Sequence, residues 1–391
     1  MKKKINKKEV YVLLGILGTI MIICINFLQM HYSSDTYVLY QLGYFNYPSE
    51  YFLKDGRLIS TLFCYLGGIL HLPIPAYIIA MDFLGMIFLA ISIYIISKIF
   101  IDIIKPENKK KEILIYLASF VLILNQYTLE YLLFPESAVM CLGVLFNVIA
   151  IKFMVDNPKC KYIKIFLALL VAVFCYQGVL NMFPVLAILV YIVKQILDKR
   201  EYKVKEKEFF VEMIKLAFIV IVVLAICMVA IKLGKTLLNS NQDRMIHLVD
   251  MEAVTLRGQT VLEYMDELWN RTMHMLPENT NTIIVIITFV SLIIMKTKKE
   301  IIMQYILLLI ISFTICIVPM FLFNTGICGR VNEPLTMIWR ASLIILLTKS
   351  CNIPEGKLTK IYAENMMDKD YEEFSEEQLV FKGDTLYMLV Y

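Results

Sequence analysis

Residues 76–103 read AYIIAMDFLGMIFLAISIYIISKIFIDI, and this long apolar run decides the fold class. A helix that crosses a bilayer needs roughly 20 mostly apolar residues, because it must reach from one interface to the other. Similar runs recur along the chain, which predicts an all-α fold, a polytopic transmembrane helix bundle of about ten spans. The predicted spans are Tyr11–Leu28, Ala76–Ile103, Glu112–Asn125, Ser137–Met154, Ile163–Tyr176, Val179–Leu197, Met213–Leu233, Thr282–Met295, Ile301–Met320 and Pro334–Leu347.

The composition excludes an ordinary soluble domain. Apolar residues make up 59% of the chain and charged residues only 18%, whereas about a quarter of the residues of a globular protein are charged. The nine cysteines form no CxxC pair and lie mostly within predicted spans. We therefore expect them to be apolar packing residues, and we expect no disulfide framework and no metal site built on cysteine.

The distribution of lysine predicts the orientation in the membrane, because cytoplasmic loops carry an excess of Lys and Arg. The basic clusters alternate correctly only if residues 58–71 do not cross the bilayer. That stretch is short, contains Gly67 and Gly68, and is predicted to be a helix on the outer membrane surface. Both termini are then cytoplasmic, with a membrane domain over 1–348 and a cytoplasmic tail over 349–391. The clusters lie at 2–8, 105–111, 159–164, 199–207 and 296–299.

The net charge of +4 follows from these cytoplasmic loops. A protein that binds nucleic acid would instead carry a basic face on a folded domain, and the sequence predicts none. The membrane is therefore an expected partner, and a nucleic acid is not.

The loop between the first two predicted spans, residues 29–75, concentrates ionisable side chains. It carries Asp35, Glu50, Asp55 and Arg57, although each charge costs free energy at or near a bilayer. Asp35 is either an N-cap of a short helix that starts just after it, or a carboxylate at the mouth of a membrane cavity. In the second case it acts as a general base or holds a metal. Arg57 is either an interfacial anchor or a guanidinium that binds phosphate.

Two further acids and two arginines are predicted on the same side of the membrane. Glu130 and Glu136 flank a short apolar run, and Glu136 also fits the first turn of a helix, where the helix dipole favours an acid. Arg340 lies inside a predicted span, and an intramembrane arginine is expensive enough to be a functional candidate. Arg330 fits interfacial snorkelling better.

The order of these segments resembles the membrane-embedded glycosyltransferases of the GT-C class, whose first outer loop carries an essential acid and lies on the membrane as short helices. Over residues 1–347 the chain more closely resembles the serotype-converting O-antigen glucosyl transferases, the Gtr type II group. Ser34 stands where that family often has the first of two acids, and Glu136 stands where it often has Asp. The matching segments are Ser34-Asp35-Thr36-Tyr37, Asp55-Gly56-Arg57-Leu58-Ile59, Leu129-Glu130-Tyr131-Leu132-Leu133-Phe134-Pro135-Glu136-Ser137, and Tyr176-Gln177 leading into Asn181.

The resemblance implies an enzyme that moves a sugar, with glucose favoured, from a polyprenyl-phosphate donor to a surface glycan acceptor. The reaction is expected at the extracytoplasmic face of the cell membrane, because the apolar tail of the donor keeps the active site at the bilayer.

The resemblance also implies residue roles. Asp35 is expected to take the proton of the acceptor hydroxyl, and Glu130 or Glu136 to orient sugar hydroxyls. The donor phosphate calls for a cation, and the candidates are Arg57, Arg330 and Arg340. Further substrate contacts are expected at Asp55, Tyr176 and Gln177. A phosphate with a few carboxylates could bind Mg²⁺, although the sequence shows no ligand set for it.

Two other functions fit a polytopic membrane protein. A polysaccharide polymerase would rely on arginines of the outer loops more than on an early acid. A lipid-glycan flippase or transporter would carry paired ionisable residues near helix midpoints, or inverted repeats. The sequence shows neither of these transporter features, and its acid-rich first loop favours the transferase.

Overall fold

A computed structural model describes residues 7–29, 33–197, 206–238, 280–294, 299–322 and 333–352. These residues form helices and contain no strand, which confirms the all-α prediction for this part of the chain. The α-helices are α1 (Lys7–Ile23), α2 (Ser34–Tyr51), α3 (Leu58–Ile69), α4 (Ile74–Ile104), α5 (Lys109–Ile123), α6 (Gln126–Glu130), α7 (Ser137–Asp156), α8 (Lys161–Cys175), α9 (Met182–Ile196), α10 (Glu206–Leu237), α11 (Thr280–Ile294), α12 (Lys299–Leu322) and α13 (Glu333–Asn352). Short 3-10 helices cover Ile25–Leu28, Leu53–Asp55, Tyr131–Leu133 and Gln177–Asn181.

Several of the described helices are long and apolar enough to cross a membrane. By length and composition four qualify, and they are Ile74–Ile104, Ser137–Asp156, Gln177–Ile196 and Glu208–Leu237. A fifth is the pair Lys109–Ile123 and Tyr127–Leu133, which is bent by 53°. These helices indicate a membrane protein. Each of the other predicted spans also overlaps a helix, but α1, α8 and α11 have only 15 to 17 residues, so the count of about ten remains a prediction.

The first loop folds into helices, as the sequence predicts. The helix α2 is capped by Ser33, whose side chain accepts a hydrogen bond from the Thr36 amide. The N-cap interpretation of Asp35 is therefore wrong. Asp35 lies in the first turn of α2, because the hydroxyl one step earlier already satisfies the free amides of the helix start.

The helix α3 has an unusual distribution of side chains. Its small and polar residues are buried, and its large apolar residues Leu58, Leu62, Leu66 and Ile69 are exposed. Residues four apart lie on one face of a helix, so the leucines form a continuous apolar stripe. Such a stripe is suited to contact with lipid, because water would not favour it.

The middle of the bundle is a continuous apolar core. The helix α4 packs along α7, and α7 packs along α8, so these three helices form its centre. Within that core, the Asn147 side-chain amide donates to the carbonyl oxygens of Gly143 and Val179, at 2.9 and 3.0 Å. This pair of bonds fixes the 3-10 helix Gln177–Asn181 against α7. That 3-10 helix carries Gln177, which belongs to the candidate site.

Candidate active site

Polar residues from distant parts of the sequence meet at one end of the bundle. The elements there are the 3-10 helix Leu53–Asp55, the starts of α3 and α7, the segment after α8, and the end of α10. The start of α3 is held against the end of α8, because the Ser60 hydroxyl donates to the Cys175 carbonyl oxygen at 3.2 Å. This end of the bundle is called the polar end below.

A left-handed turn at Gly56 positions the charged residues of the polar end. Gly56 has a φ of 71°, which residues with a Cβ rarely adopt. A Cβ at this position would also lie 2.9 Å from the side chain of Ile231 on α10. The turn ends the 3-10 helix and places Asp55 and Arg57 on either side of the glycine.

Arg57 is the centre of the cluster. Its Nη1 lies 3.2 Å from Oε1 of Glu136, and its Nη2 lies 3.8 Å from Oδ2 of Asp55. The guanidinium carbon lies 4.9 Å from the centroid of the Tyr176 ring, which adds a cation–π contact. Three of the residues singled out in the sequence are therefore brought to Arg57 by the fold.

Glu136 is nearly inaccessible to solvent, with 2% of its side chain exposed. It occupies the N-cap position of α7, but its side chain makes no capping hydrogen bond. The carboxylate is directed to Arg57 instead. The interpretation of Glu136 as an acid that serves only the dipole of its own helix is therefore incomplete, because its partner is 79 residues away in sequence.

Gln177 holds the chain around Asp55. Its Nε2 donates a hydrogen bond to the backbone carbonyl oxygen of Asp55, and it lies 3.6 Å from Sγ of Cys227 on α10. The side chain thus joins the segment after α8 to both the turn and α10. In this structure Gln177 positions the backbone that carries Asp55 and Arg57.

Asp35 approaches the polar end through a kink in α2. Gly43 has φ 70° and ψ 172°, which is not helical. In a straight helix, Asp35 and Tyr47 would be separated by about 18 Å along the axis. Asp35 acts electrostatically on Tyr47, which indicates that the two lie closer together in the kinked helix than they would in a straight one. The carboxylate of Asp35 is half-buried and accepts a hydrogen bond from the Ser34 hydroxyl at 3.3 Å.

Comparison with known protein families assigns the chain. The family model described as glucosyl transferase GtrII matches residues 26–346. The chain belongs to the GtrII glucosyl transferase family. The match begins just before the first loop and ends within α13, so it includes the whole polar end. A search of curated proteins and a search of solved structures each gave no match.

This GtrII family chain carries a further acid that the sequence reasoning missed. Asp82 lies in the third turn of α4, is completely buried, and faces the side chain of Ser137. Ser137 directly follows Glu136, so Asp82 contacts the residue next to the one that pairs with Arg57. The sequence does contain a signal for Asp82, because an aspartate inside the apolar run 76–103 is costly in a membrane and is therefore a functional candidate.

Tyr47 is a second residue that the sequence reasoning missed. In the GtrII family chain it is fully buried, and its hydroxyl interacts electrostatically with Glu136, Asp35 and Arg57. No local pattern distinguishes it from the neighbouring tyrosines, because its position depends on the kink at Gly43.

The remaining predicted site residues are less closely tied to Arg57. Glu130 ends α6 and is half-buried, and the residue after it, Tyr131, packs edge to face on Tyr176 at 6.0 Å. Arg340 is buried in α13, with its guanidinium carbon 4.4 Å from the Trp339 ring. Its helix packs mainly against α5, α9, α11 and α12. Arg330 lies outside the described residues.

In the described part of this GtrII family chain, no group of three or more His, Cys, Asp or Glu residues is arranged so that it could hold a metal ion. Two carboxylates of the polar end lie beside Arg57 instead, Asp55 near its Nη2 and Glu136 near its Nη1.

Proposed function

We propose that the chain transfers a glucosyl group from a polyprenyl-phosphate donor to a surface glycan acceptor, at the extracytoplasmic face of the membrane. The observation that carries this proposal is the GtrII family match over residues 26–346, which contains a charged, largely buried cluster built around Arg57. A family of glucosyl transferases implies sugar transfer. A partly buried arginine beside two carboxylates supplies the types of groups that bind phosphate and sugar hydroxyls.

The position of the cluster supports the extracytoplasmic side. The polar end contains the start of α7 and the end of α8, whereas the basic loops 105–111 and 159–164 follow the ends of α4 and α7. These loops therefore lie at the opposite end of the bundle. Since basic loops face the cytoplasm, the polar end faces outward in this proposal, and both chain termini are cytoplasmic.

The apolar surface beside the cluster supports a lipid-linked donor. The exposed stripe of α3 begins at Leu58, which directly follows Arg57. A donor whose prenyl chain runs along lipid-facing side chains would bring its phosphate to the start of this helix. A nucleotide sugar, which has no apolar chain, would gain nothing from this surface.

Each residue of the cluster has a defined role in the proposal. Asp35 takes the proton of the acceptor hydroxyl as a general base. Arg57 binds the donor phosphate, exchanging part of its contact with the two neighbouring carboxylates for the phosphate oxygens. The acids that orient sugar hydroxyls are Glu130 and Glu136, the further substrate contacts are Asp55, Tyr176 and Gln177, and the additional candidate cations are Arg330 and Arg340.

The test is a transfer assay with purified protein in lipid vesicles. The protein is supplied with a panel of polyprenyl-phosphate sugars and, separately, with nucleotide sugars of the same hexoses, and sugar release and transfer are measured. We expect turnover of polyprenyl-phosphate glucose and no turnover of the nucleotide sugars. Turnover of a nucleotide sugar alone would overturn the proposed donor class.

The sidedness is tested by labelling single cysteines in intact cells. A cysteine introduced at Glu50, an exposed residue of the first loop, should react with a membrane-impermeant maleimide, and a cysteine introduced at Asn108 should not. The protein without introduced cysteines gives the background from native thiols. Labelling at Asn108 and protection at Glu50 would place the polar end in the cytoplasm.

A further inference from the structure

Tyr47 carries a buried hydroxyl to which the described residues supply no hydrogen bond. Only 1% of the residue is exposed. Its ring stacks on Tyr51 with centroids 5.1 Å apart and meets Phe52 edge to face at 5.0 Å. Among the described residues, no atom is within hydrogen-bonding geometry of its hydroxyl. A buried hydroxyl without a partner lowers the stability of the folded state, so a phenylalanine would pack at this position at a lower cost.

The surroundings of this hydroxyl are the charged groups of the polar end. It interacts electrostatically with Glu136 and Asp35, and also with Arg57. Burial and the two carboxylates raise the pKa of Tyr47 well above its usual value. The hydroxyl therefore keeps its proton at neutral pH and is available as a hydrogen-bond donor.

The same helix segment contains a second tyrosine, Tyr44, whose hydroxyl does have a hydrogen-bond partner. Tyr44 lies one turn before Tyr47, and its hydroxyl donates to the carbonyl oxygen of Leu72 at 2.8 Å. That bond joins α2 to the connection between α3 and α4 and has an evident structural role. The Tyr44 hydroxyl therefore forms a structural hydrogen bond, whereas the Tyr47 hydroxyl forms none with the described residues.

We propose that Tyr47 is a sugar-binding residue, whose hydroxyl donates a hydrogen bond to a hexose hydroxyl bound between Asp35 and Glu136. This inference rests on the proposed function. A sugar hydroxyl can accept a hydrogen bond and donate one at the same time, so it can accept from Tyr47 while donating to a carboxylate. A phosphate oxygen only accepts, and it would be repelled by both carboxylates. The hexose is either the sugar of the donor or the terminal residue of the acceptor.

The test compares Tyr47→Phe with Tyr44→Phe in the vesicle transfer assay, together with thermal unfolding of each purified variant. Tyr47→Phe should leave the melting temperature unchanged or raise it. It should lower kcat/KM by about 5- to 100-fold, because a buried sugar hydroxyl loses its donor. Tyr44→Phe should lower the melting temperature and keep kcat/KM within about 2-fold of the wild-type value, since only a structural bond is lost.

Release of sugar from the donor without an acceptor identifies the source of the hexose. If Tyr47→Phe slows this release as well as transfer, the hydroxyl binds the donor sugar. If it slows transfer alone, the hydroxyl binds the acceptor.

Two results would overturn the inference while leaving the proposed function intact. They are wild-type kcat/KM in Tyr47→Phe, and a parallel loss of stability and activity that makes it resemble Tyr44→Phe. If the wild-type protein turns over no polyprenyl-phosphate sugar, the proposed function fails, and the role of Tyr47 fails with it.

Discussion

The middle of the bundle and its polar end follow different physical rules. In the middle, α4, α7 and α8 bury apolar side chains over their whole length, and many contacts share the stabilisation. At the polar end, a few residues carry a largely buried ion pair, a kinked helix and, among the described residues, a hydroxyl without a hydrogen-bond partner. Burying an ion pair or an unpaired hydroxyl costs free energy in a protein that only needs to be stable. This difference supports the proposal that the polar end carries out chemistry.

The largest expected effect is on catalysis by Asp35. Asp35→Asn keeps the size of the side chain and removes its charge and basicity. If Asp35 is the general base, transfer should fall by about 10²- to 10⁴-fold. The melting temperature should stay near the wild-type value, because the carboxylate is half-buried and its only described hydrogen bond comes from the adjacent Ser34.

Glu50→Gln is the matched control for Asp35→Asn. Glu50 lies on the same helix, 54% of its side chain is exposed, and it pairs with Lys54 at 2.6 Å. Exposed pairs of this kind contribute about 0–1 kcal/mol, so this variant should behave like the wild type. If Glu50→Gln is the more damaging change, Asp35 is not the base.

A smaller effect is expected from breaking the Arg57–Glu136 pair. Removing one partner of a buried pair typically costs about 3–5 kcal/mol of stability, because the other charge is left in a low-dielectric environment. Arg57 is 18% exposed, so we expect Arg57→Ala to lie at the low end, near about 3 kcal/mol. Loss of the charge-assisted contact should also weaken donor binding by about 1.5–3 kcal/mol.

The double variant Arg57→Ala/Glu136→Gln separates these two losses. Replacing Glu136 by a neutral amide removes the buried unpaired charge, so thermal stability should partly recover while transfer stays low. Arg57→Lys should give intermediate turnover, since it keeps the charge and loses the planar fork. Unchanged stability and donor turnover in Arg57→Ala would show that this arginine only anchors the loop at the interface.

The same contrast explains how much the sequence could predict. Hydropathy is a local property, so the apolar runs predicted the ends of α4, α7 and α9 to within three residues. Motifs of a related family identified Asp35, Arg57 and Glu136. The pairing of Arg57 with Glu136 joins residues 79 positions apart, and such a contact leaves no local pattern. The electrostatic interaction of Tyr47 with Asp35 leaves no local pattern either, since the helix that carries both residues is kinked at Gly43.

The smallest expected effect tests whether close packing of α10 maintains the geometry of the polar end. A Cβ at Gly234 would overlap the backbone carbonyl oxygen of Leu53, which belongs to the 3-10 helix before Gly56. Backbone cannot rotate away as a flexible side chain can. Overpacking typically costs about 1–3 kcal/mol, and alanine recovers at most about 1 kcal/mol of helix propensity. We therefore expect Gly234→Ala to lose up to about 2 kcal/mol of stability. Turnover should also fall several-fold, because the displaced 3-10 helix carries Asp55 and leads into Arg57.

Gly15→Ala on α1 is the matched substitution away from the polar end. A Cβ there meets nothing within 4 Å in the described part of the chain, so only the helix propensity changes. Its melting temperature should stay the same or rise, and its turnover should match that of the wild type. If Gly234→Ala behaved like Gly15→Ala, α10 would not constrain the turn at Gly56. The positions of Asp55 and Arg57 would then depend on Gln177, which donates to the Asp55 carbonyl, and on Ser60, which ties α3 to the end of α8.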